Sequence, residues 1–233
     1  LLHDGRPLWQ LVKELISNVW DEEMVGICRV ELKSASRGLI EVTVEDDGPG
    51  FRDITDAYTI FAPTPKQGNA SVRGRFNLGE KELLSLCRTA AIETVGHTVE
   101  FPLSGGKKVK RNNKERGTKV TAILKGRQDE IGSTVEKLKT FIVPPDIKYT
   151  INGQSVRPRE LIAQTEAILA TVLSSGINQP LRPTTRKTTI RVYNPYIDGL
   201  GHIYEMGIPI QSIDMPFDVD IGGKVPLPEL LQS

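Results

Sequence analysis

The sequence predicts an α+β fold, a two-layer sandwich whose helices cover one face of a mixed, mostly antiparallel sheet. Apolar residues recur every three or four positions over 7–24, which indicates an amphipathic helix. Alternating β-branched runs at 27–33 and 39–45 flank a short polar turn, as is typical of a β-hairpin. The chain then continues as helix, loop, helix and strands, an order that favours segregated layers of helix and sheet.

The middle of the chain begins at Asp46–Phe51, where two glycines and a proline interrupt regular structure. The following segment is polar and rich in glycine and proline, which favours a mobile loop. Apolar spacing typical of a helix returns near Leu83. The elements expected in this part are a short helix at 53–61, a loop at 62–75, a helix at 79–88, and strands at 91–95, 98–101 and 119–124.

The last third of the chain combines further helices with a second group of strands. Asn152-Gly153 is a strong signal for a two-residue hairpin turn. The expected elements are helices at 130–141 and 158–173 and strands at 189–193, 202–206 and 209–213. We therefore expect one domain over 1–173, a linker at 174–187, and over 188–233 the N-terminal part of a β-rich domain that the sequence truncates.

Composition excludes several classes of function. The chain has 233 residues, of which 38% are hydrophobic and 25% charged, as in an ordinary soluble globular protein. Its formal net charge of +1 provides no overall field for nucleic acid or membrane. Cys28 and Cys87 are isolated, which favours a reducing, cytoplasmic compartment over a disulfide. The three histidines are scattered and provide no zinc ligand set.

The first helix carries a polar stripe. Glu14, Asn18 and Asp21 are spaced by four and then three residues, so they lie within about 40° of one another on the helix surface. An acid, an amide and an acid in line are, by themselves, more often a solvated face than a site. The stripe is a candidate site only together with the later motifs of the chain.

The loop after the second strand reads Asp46-Asp-Gly-Pro-Gly-Phe51. A carboxylate at the end of a strand accepts a hydrogen bond from an amine, and glycines let a flat ring approach the backbone. The exocyclic amine of adenine is such a group. Taken alone, this motif is more often an ordinary turn.

A glycine-rich segment further along the chain fits an anionic ligand. The glycines of Gly74–Gly79 open a helix, where backbone N–H groups form an anion site, and Lys81 adds a positive charge. The segment is neither a Walker sequence nor a dinucleotide fingerprint.

Thr118 begins a strand, where its hydroxyl could support the carboxylate of Asp46 by a hydrogen bond.

Four motifs occur in an order that resembles the GHKL ATPases, the superfamily of gyrase, the heat-shock protein 90 chaperones, histidine kinases and the MutL proteins. They are ELISN at 14–18 with Asp21, DDGPGF at 46–51, GRFNLGEKE at 74–82 and GTKV at 117–120. The resemblance implies a Bergerat-type sandwich that binds ATP and Mg²⁺.

The resemblance also implies roles for individual residues. Glu14 matches the general base that activates water, Asn18 matches the Mg²⁺ ligand, and Asp46 matches the carboxylate that reads adenine. The other positions that it assigns to nucleotide binding are Asp21, Gly48, Gly50, Phe51, Lys66, Gly74, Asn77, Leu78, Gly79, Lys81 and Thr118.

The region from Ile147 to Leu227 is similar to the segment that follows the ATPase domain in phage-encoded Hsp90-like ATP-binding proteins of the rIIA type. In MutL-like and chaperone-like relatives, a following β-rich domain supplies a cation to the γ-phosphate. Arg186, Lys187 and Lys224 match this role equally well, and the sequence leaves the choice open.

The resemblance implies slow Mg²⁺-dependent ATP hydrolysis that drives conformational change and homodimerisation, with a protein client or DNA as partner and no membrane. The alternatives are a non-hydrolysing, ATP-gated module that binds protein or DNA, and a histidine-kinase catalytic domain. A basic run at 107–116 holds six cations and one acid. It has no interleaved aromatic residues, so stacking on single-stranded nucleic acid is not indicated. A solvated hairpin tip is favoured over a contact with a phosphate backbone.

Overall fold

The computed structural model describes residues 6–51, 53–57, 73, 86–174 and 181–225. These residues divide into two compact units. The first unit takes in the described residues of 1–62, 76–139 and 144–157, and the second takes in those of 63–75, 140–143 and 158–233.

The first unit is an eight-stranded sheet with the strand order β5-β4-β3-β6-β2-β1-β7-β8. All neighbours in this sheet are antiparallel except β1 and β7. The described elements of the unit are α1 Leu8–Trp20, β1 Ile27–Ser36, β2 Leu39–Asp46, a 3₁₀ turn Ile54–Ala57, β3 Thr89–Thr94, β4 His97–Phe101, β5 Lys108–Arg111, β6 Lys119–Lys125, α2 Gln128–Lys139, β7 Lys148–Ile151 and β8 Gln154–Val156.

Alternation along the central strands determines which face of this sheet is covered. Val42 and Val44 on β2 are buried, as are Ala122 and Leu124 on the neighbouring β6. Helix α1 contacts β1, β2 and α2, so the apolar stripe of the helix and the inner face of the sheet form one core. The α+β sandwich with helices on one face of a mostly antiparallel sheet is therefore confirmed.

The second unit is a five-stranded sheet with the order β12-β11-β13-β10-β9. Strands β9 and β10 pair antiparallel over their whole length, with Leu161 opposite Tyr193 at one end and Ser174 opposite Leu181 at the other. Strand β11 runs parallel to β13. Its strands are β9 Leu161–Ser174, β10 Leu181–Tyr193, β11 Gly201–Glu205, β12 Ile208–Ile213 and β13 Asp218–Ile221. Ile142, Tyr193 and Tyr204 form a buried cluster in this unit.

The helix expected at 158–173 is wrong, because Leu161–Ser174 is strand β9. Apolar residues of this segment follow helical spacing, but Ile168 is 75% exposed, so that spacing does not describe a buried face. Pairing with β10 along its whole length decides the conformation instead. The described part of the expected linker, 181–187, likewise lies in β10, and the segment 158–173 belongs to the second unit.

Most other expected elements of the described chain are present. The hairpins β1–β2 and β7–β8 form, the second around Asn152 and Gly153 with φ of 47° and 77°. The short helix expected at 53–61 is a 3₁₀ turn over its described part. The loop expected at 62–75 and the helix expected at 79–88 lie almost entirely outside the described residues. No helix of the described chain is long and apolar enough to cross a membrane.

Candidate nucleotide-binding site

Asp46 ends β2 at a point where the backbone of the next strand in the sheet, β6, anchors it. Its N–H donates to the carbonyl of Thr118 (2.9 Å), and its Oδ1 accepts from the N–H groups of Thr118 (3.1 Å) and Gly48 (2.8 Å). Within the described chain its Oδ2 accepts no hydrogen bond. The carboxylate is therefore fixed through one oxygen, and the other can receive a donor.

The surroundings of Asp46 also change its acidity. Burial raises the pKa of Asp46 above its ordinary value of 3.8, and the charges of Glu22 and Asp47 act in the same direction. The hydrogen bonds from Gly48 and Thr118 oppose this rise, because they favour the ionised form.

Two glycines near Asp46 have positive φ and leave no room for a side chain. Gly50 has φ of +81°, and a Cβ there would lie 2.7 Å from Oγ1 of Thr94. Gly117 also has φ of +81°, and a Cβ there would overlap the carbonyl oxygen of Asp46. Other residues would be strained or would clash at both positions.

A threonine pair links this loop to the sheet. Oγ1 of Thr94 accepts from the N–H of Phe51 (3.1 Å) and lies 3.3 Å from Oγ1 of Thr118. Beside this pair is an open cavity of about 390 Å³. The described residues that line the cavity are Phe51, Asp53, Ile54, Thr94, Val95 and His97.

The polar stripe of α1 has a mixed environment. Glu14 is half-buried and pairs with Lys13 at 2.8 Å, and Asn18 follows one turn later. Asp21 ends the helix with its N–H bonded to the carbonyl of Ser17. One residue further, Glu22 lies 3.6 Å from the position a Cβ of Gly48 would take. The end of the stripe therefore reaches the Asp46 loop, and Glu14 and Asn18 lie on the preceding turns of the helix.

Three residues that support the loop were assigned no role from the sequence. Asp47 accepts from the N–H groups of Gly26 (2.8 Å) and Ile27 (2.9 Å), which fixes the connection from α1 to β1. Arg116 donates to the carbonyls of Asp47 and Met24. Thr94 is distant from the motifs along the chain, so only strand pairing could have found it, whereas Arg116 directly precedes the motif at 117–120.

Part of the predicted site lies outside the described residues. These positions are Lys66, Gly74, Asn77, Leu78, Gly79 and Lys81. Among the cations considered for the γ-phosphate, Arg186 and Lys187 are exposed on β10, and Lys187 pairs with Glu166 at 2.7 Å. Lys224 is only 4% exposed.

The family follows from comparison with known sequences. Residues 3–128 match the model of the histidine kinase-, DNA gyrase B- and HSP90-like ATPases. Because the match covers more than half of the 233 residues, the chain belongs to this family of ATPases, and the family implies that it binds ATP. No curated protein matches the chain, so the resemblance to phage proteins stays a prediction.

Solved structures support the same fold. The chain is similar to two structures of the ATPase region of Saccharomyces cerevisiae topoisomerase II, the first of which is bound to ICRF-187 (dexrazoxane). Each comparison has a TM-score of 0.57 and 14% identity, covering 93% or 94% of this chain and 73% of the other. The N-terminal domain of a DNA repair protein aligns with a TM-score of 0.50 and 15% identity, over 92% of this chain and 83% of that one.

Proposed function

We propose that the protein binds an adenine nucleotide at the Asp46 loop and hydrolyses ATP slowly with Mg²⁺. The observation that carries this proposal is the half-used carboxylate of Asp46. Its Oδ1 is held by Gly48 and Thr118, its Oδ2 accepts nothing in the described chain, and Gly48 lies against the carboxylate. An amine that donates to Oδ2 from a flat ring fits this arrangement, and the exocyclic amine of adenine is such a donor.

The residues present also fit a magnesium ion. Mg²⁺ usually keeps several waters and is bound through one or two protein oxygens together with substrate phosphates. The side-chain oxygen of Asn18 on α1 would be the protein ligand, and the phosphates would supply the others. No group of three metal-ligating side chains occurs among the described residues, and this type of site requires none.

Glu14 is the proposed general base. It lies on the same stripe of α1 as Asn18, one turn away, so a water held near the metal would lie within its range. A positioned carboxylate that removes a proton from water contributes about 10²–10⁴-fold to a rate.

The remaining parts of the proposal concern what hydrolysis does. ATP binding would drive a conformational change and join two copies of the chain, and hydrolysis would reset this state. Asp21, Phe51, Thr118 and the glycines of segment 74–79 would complete the nucleotide contacts. The compartment would be the cytoplasm, where the buried thiol of Cys28 stays reduced.

The Asp46→Asn variant tests the nucleotide site directly. Because the amide replaces an ionised acceptor, we expect adenine nucleotide to bind roughly 10- to 100-fold more weakly, as expected for the loss of a hydrogen bond to a charged group. Isothermal titration calorimetry with a non-hydrolysable ATP analogue measures this. Glu23→Gln is the control, since it removes one exposed acidic charge next to α1. Equal affinities for wild type and Asp46→Asn would overturn the site.

A further inference from the structure

The proposed function does not use the basic run of the sequence. We define the basic segment as residues 107–116, which contain six cations, one acid and a single apolar residue, Val109. Strand β5 lies within it. This strand is one edge of the eight-stranded sheet.

The cations of the basic segment are accessible. All four side chains of β5 are exposed. Lys110 pairs with Glu100 at 2.6 Å and Lys114 with Glu45 at 3.2 Å. Lys108 and Arg111 form no ion pair within the described chain. Positive charge therefore remains available to a ligand at this edge.

The same sheet is balanced elsewhere. On β1 and β2, Lys33 pairs with Glu41 at 2.9 Å and Arg29 lies 3.7 Å from Glu45. The β5 edge thus carries a local excess of positive charge, although the whole chain has a formal net charge of only +1. A local field of this kind attracts anionic partners even when the overall charge is near zero.

The segment is also fixed in place. The amide nitrogen of Asn112 donates to the carbonyl of Thr94 (3.2 Å) and to Oγ1 of Thr98 (2.9 Å), and its Oδ1 accepts from the N–H of Lys114 (2.9 Å). Arg116 donates to the carbonyl of Met24 at 3.2 Å. The cations therefore project from an ordered backbone, so a partner would not have to order a free loop on binding.

We propose that the basic segment binds the phosphodiester backbone of nucleic acid. The segment has no aromatic side chain, so it would contact phosphates and not stack on bases. A single apolar residue is too little to anchor it in a bilayer.

The test compares two double charge reversals on the whole chain. Lys108→Glu with Arg111→Glu alters the basic segment. Lys125→Glu with Lys148→Glu makes the same change of net charge at exposed positions outside it. Fluorescence anisotropy with a short labelled DNA duplex, over a range of KCl concentrations, gives both the affinity and its salt dependence.

We expect the β5 double reversal to weaken duplex binding at least about tenfold and to reduce the salt slope by about 1.8, for two lost phosphate contacts. The control pair should change binding far less. Lys108→Gln with Arg111→Gln should give the same direction of effect, and unchanged thermal midpoints would verify folding. The proposal is overturned if wild type does not bind the duplex at low salt, if the control loses as much affinity, or if phosphatidylserine vesicles bind the segment as tightly as the duplex does.

Discussion

Two acidic residues, one in each unit, use their oxygens differently. Asp218 in the second unit is fully buried. Its Oδ1 accepts from the N–H of His202 (2.6 Å), and its Oδ2 accepts from the N–H of Tyr196 (3.1 Å) and pairs with Arg159 (2.7 Å). Asp46 in the first unit is only half-buried and uses Oδ1 alone.

The difference indicates which acid maintains the fold and which serves a ligand. Asp218 joins β11 and the loop that precedes it to Arg159, and no acceptor capacity is left for a further group. Asp46 is held through Oδ1 alone, by the N–H groups of Gly48 and Thr118, and Gly48 lies against its carboxylate. A saturated buried carboxylate therefore predicts a stability role, and a half-used one beside glycines predicts a binding role.

The largest effect should come from Glu14→Gln, which tests whether the first unit performs chemistry. We expect steady-state phosphate release to fall about 10²–10⁴-fold, because the amide cannot remove a proton from water. Nucleotide affinity should stay within about twofold, since a base acts in the transition state. Unchanged turnover would remove Glu14 from this role, and no turnover in wild type would favour the non-hydrolysing module.

Asp218→Asn should cost stability without touching nucleotide binding. The substitution leaves the guanidinium of Arg159, whose side chain is 13% exposed, without its charge partner. Breaking one side of a buried pair typically costs about 3–5 kcal/mol. Urea unfolding measures the loss, and Asp129→Asn on the exposed surface of α2 is the matched control. If Asp218→Asn kept its stability but lost nucleotide binding, the role assigned to Asp218 in maintaining the fold would be wrong.

The smallest effect is a pH dependence carried by Asp46. Because burial raises its pKa in the folded state, nucleotide affinity should fall as pH falls through that pKa, by about twofold at the pKa itself. The free energy of unfolding depends on pH in the opposite direction. A raised pKa contributes stability that is present below the unfolded value and is lost as pH rises through the folded one.

Asp46→Asn should therefore be more stable than wild type at neutral pH, and this gain should disappear in acid. Thermal unfolding of both proteins at several pH values measures it. If the gain in stability persisted at low pH, the ionised carboxylate of Asp46 would not be destabilised by its surroundings. Asp46 would then resemble Asp218 more closely than we infer.

Local patterns were sufficient for much of the first unit. Alternating residues on β1 and β2 predict the hairpin, and Asn152-Gly153 predicts the next one, because both depend on neighbours in sequence. The same reasoning failed at β9. Its apolar residues repeat at helical intervals, and its strand conformation comes from pairing with β10.

The sequence by itself determined that α1 is amphipathic, that Asp46 ends a strand before a glycine-rich loop, and that the motifs occur in the order of an ATPase family. Only the tertiary structure decided that Thr118 binds Asp46 through its backbone N–H and not through the hydroxyl that the sequence suggested, that Thr94 joins this group, and that β9 is a strand. The physical reason is the range of the interactions. Periodicity and turn chemistry act over a few residues, whereas strand pairing joins backbone groups that are far apart in the chain.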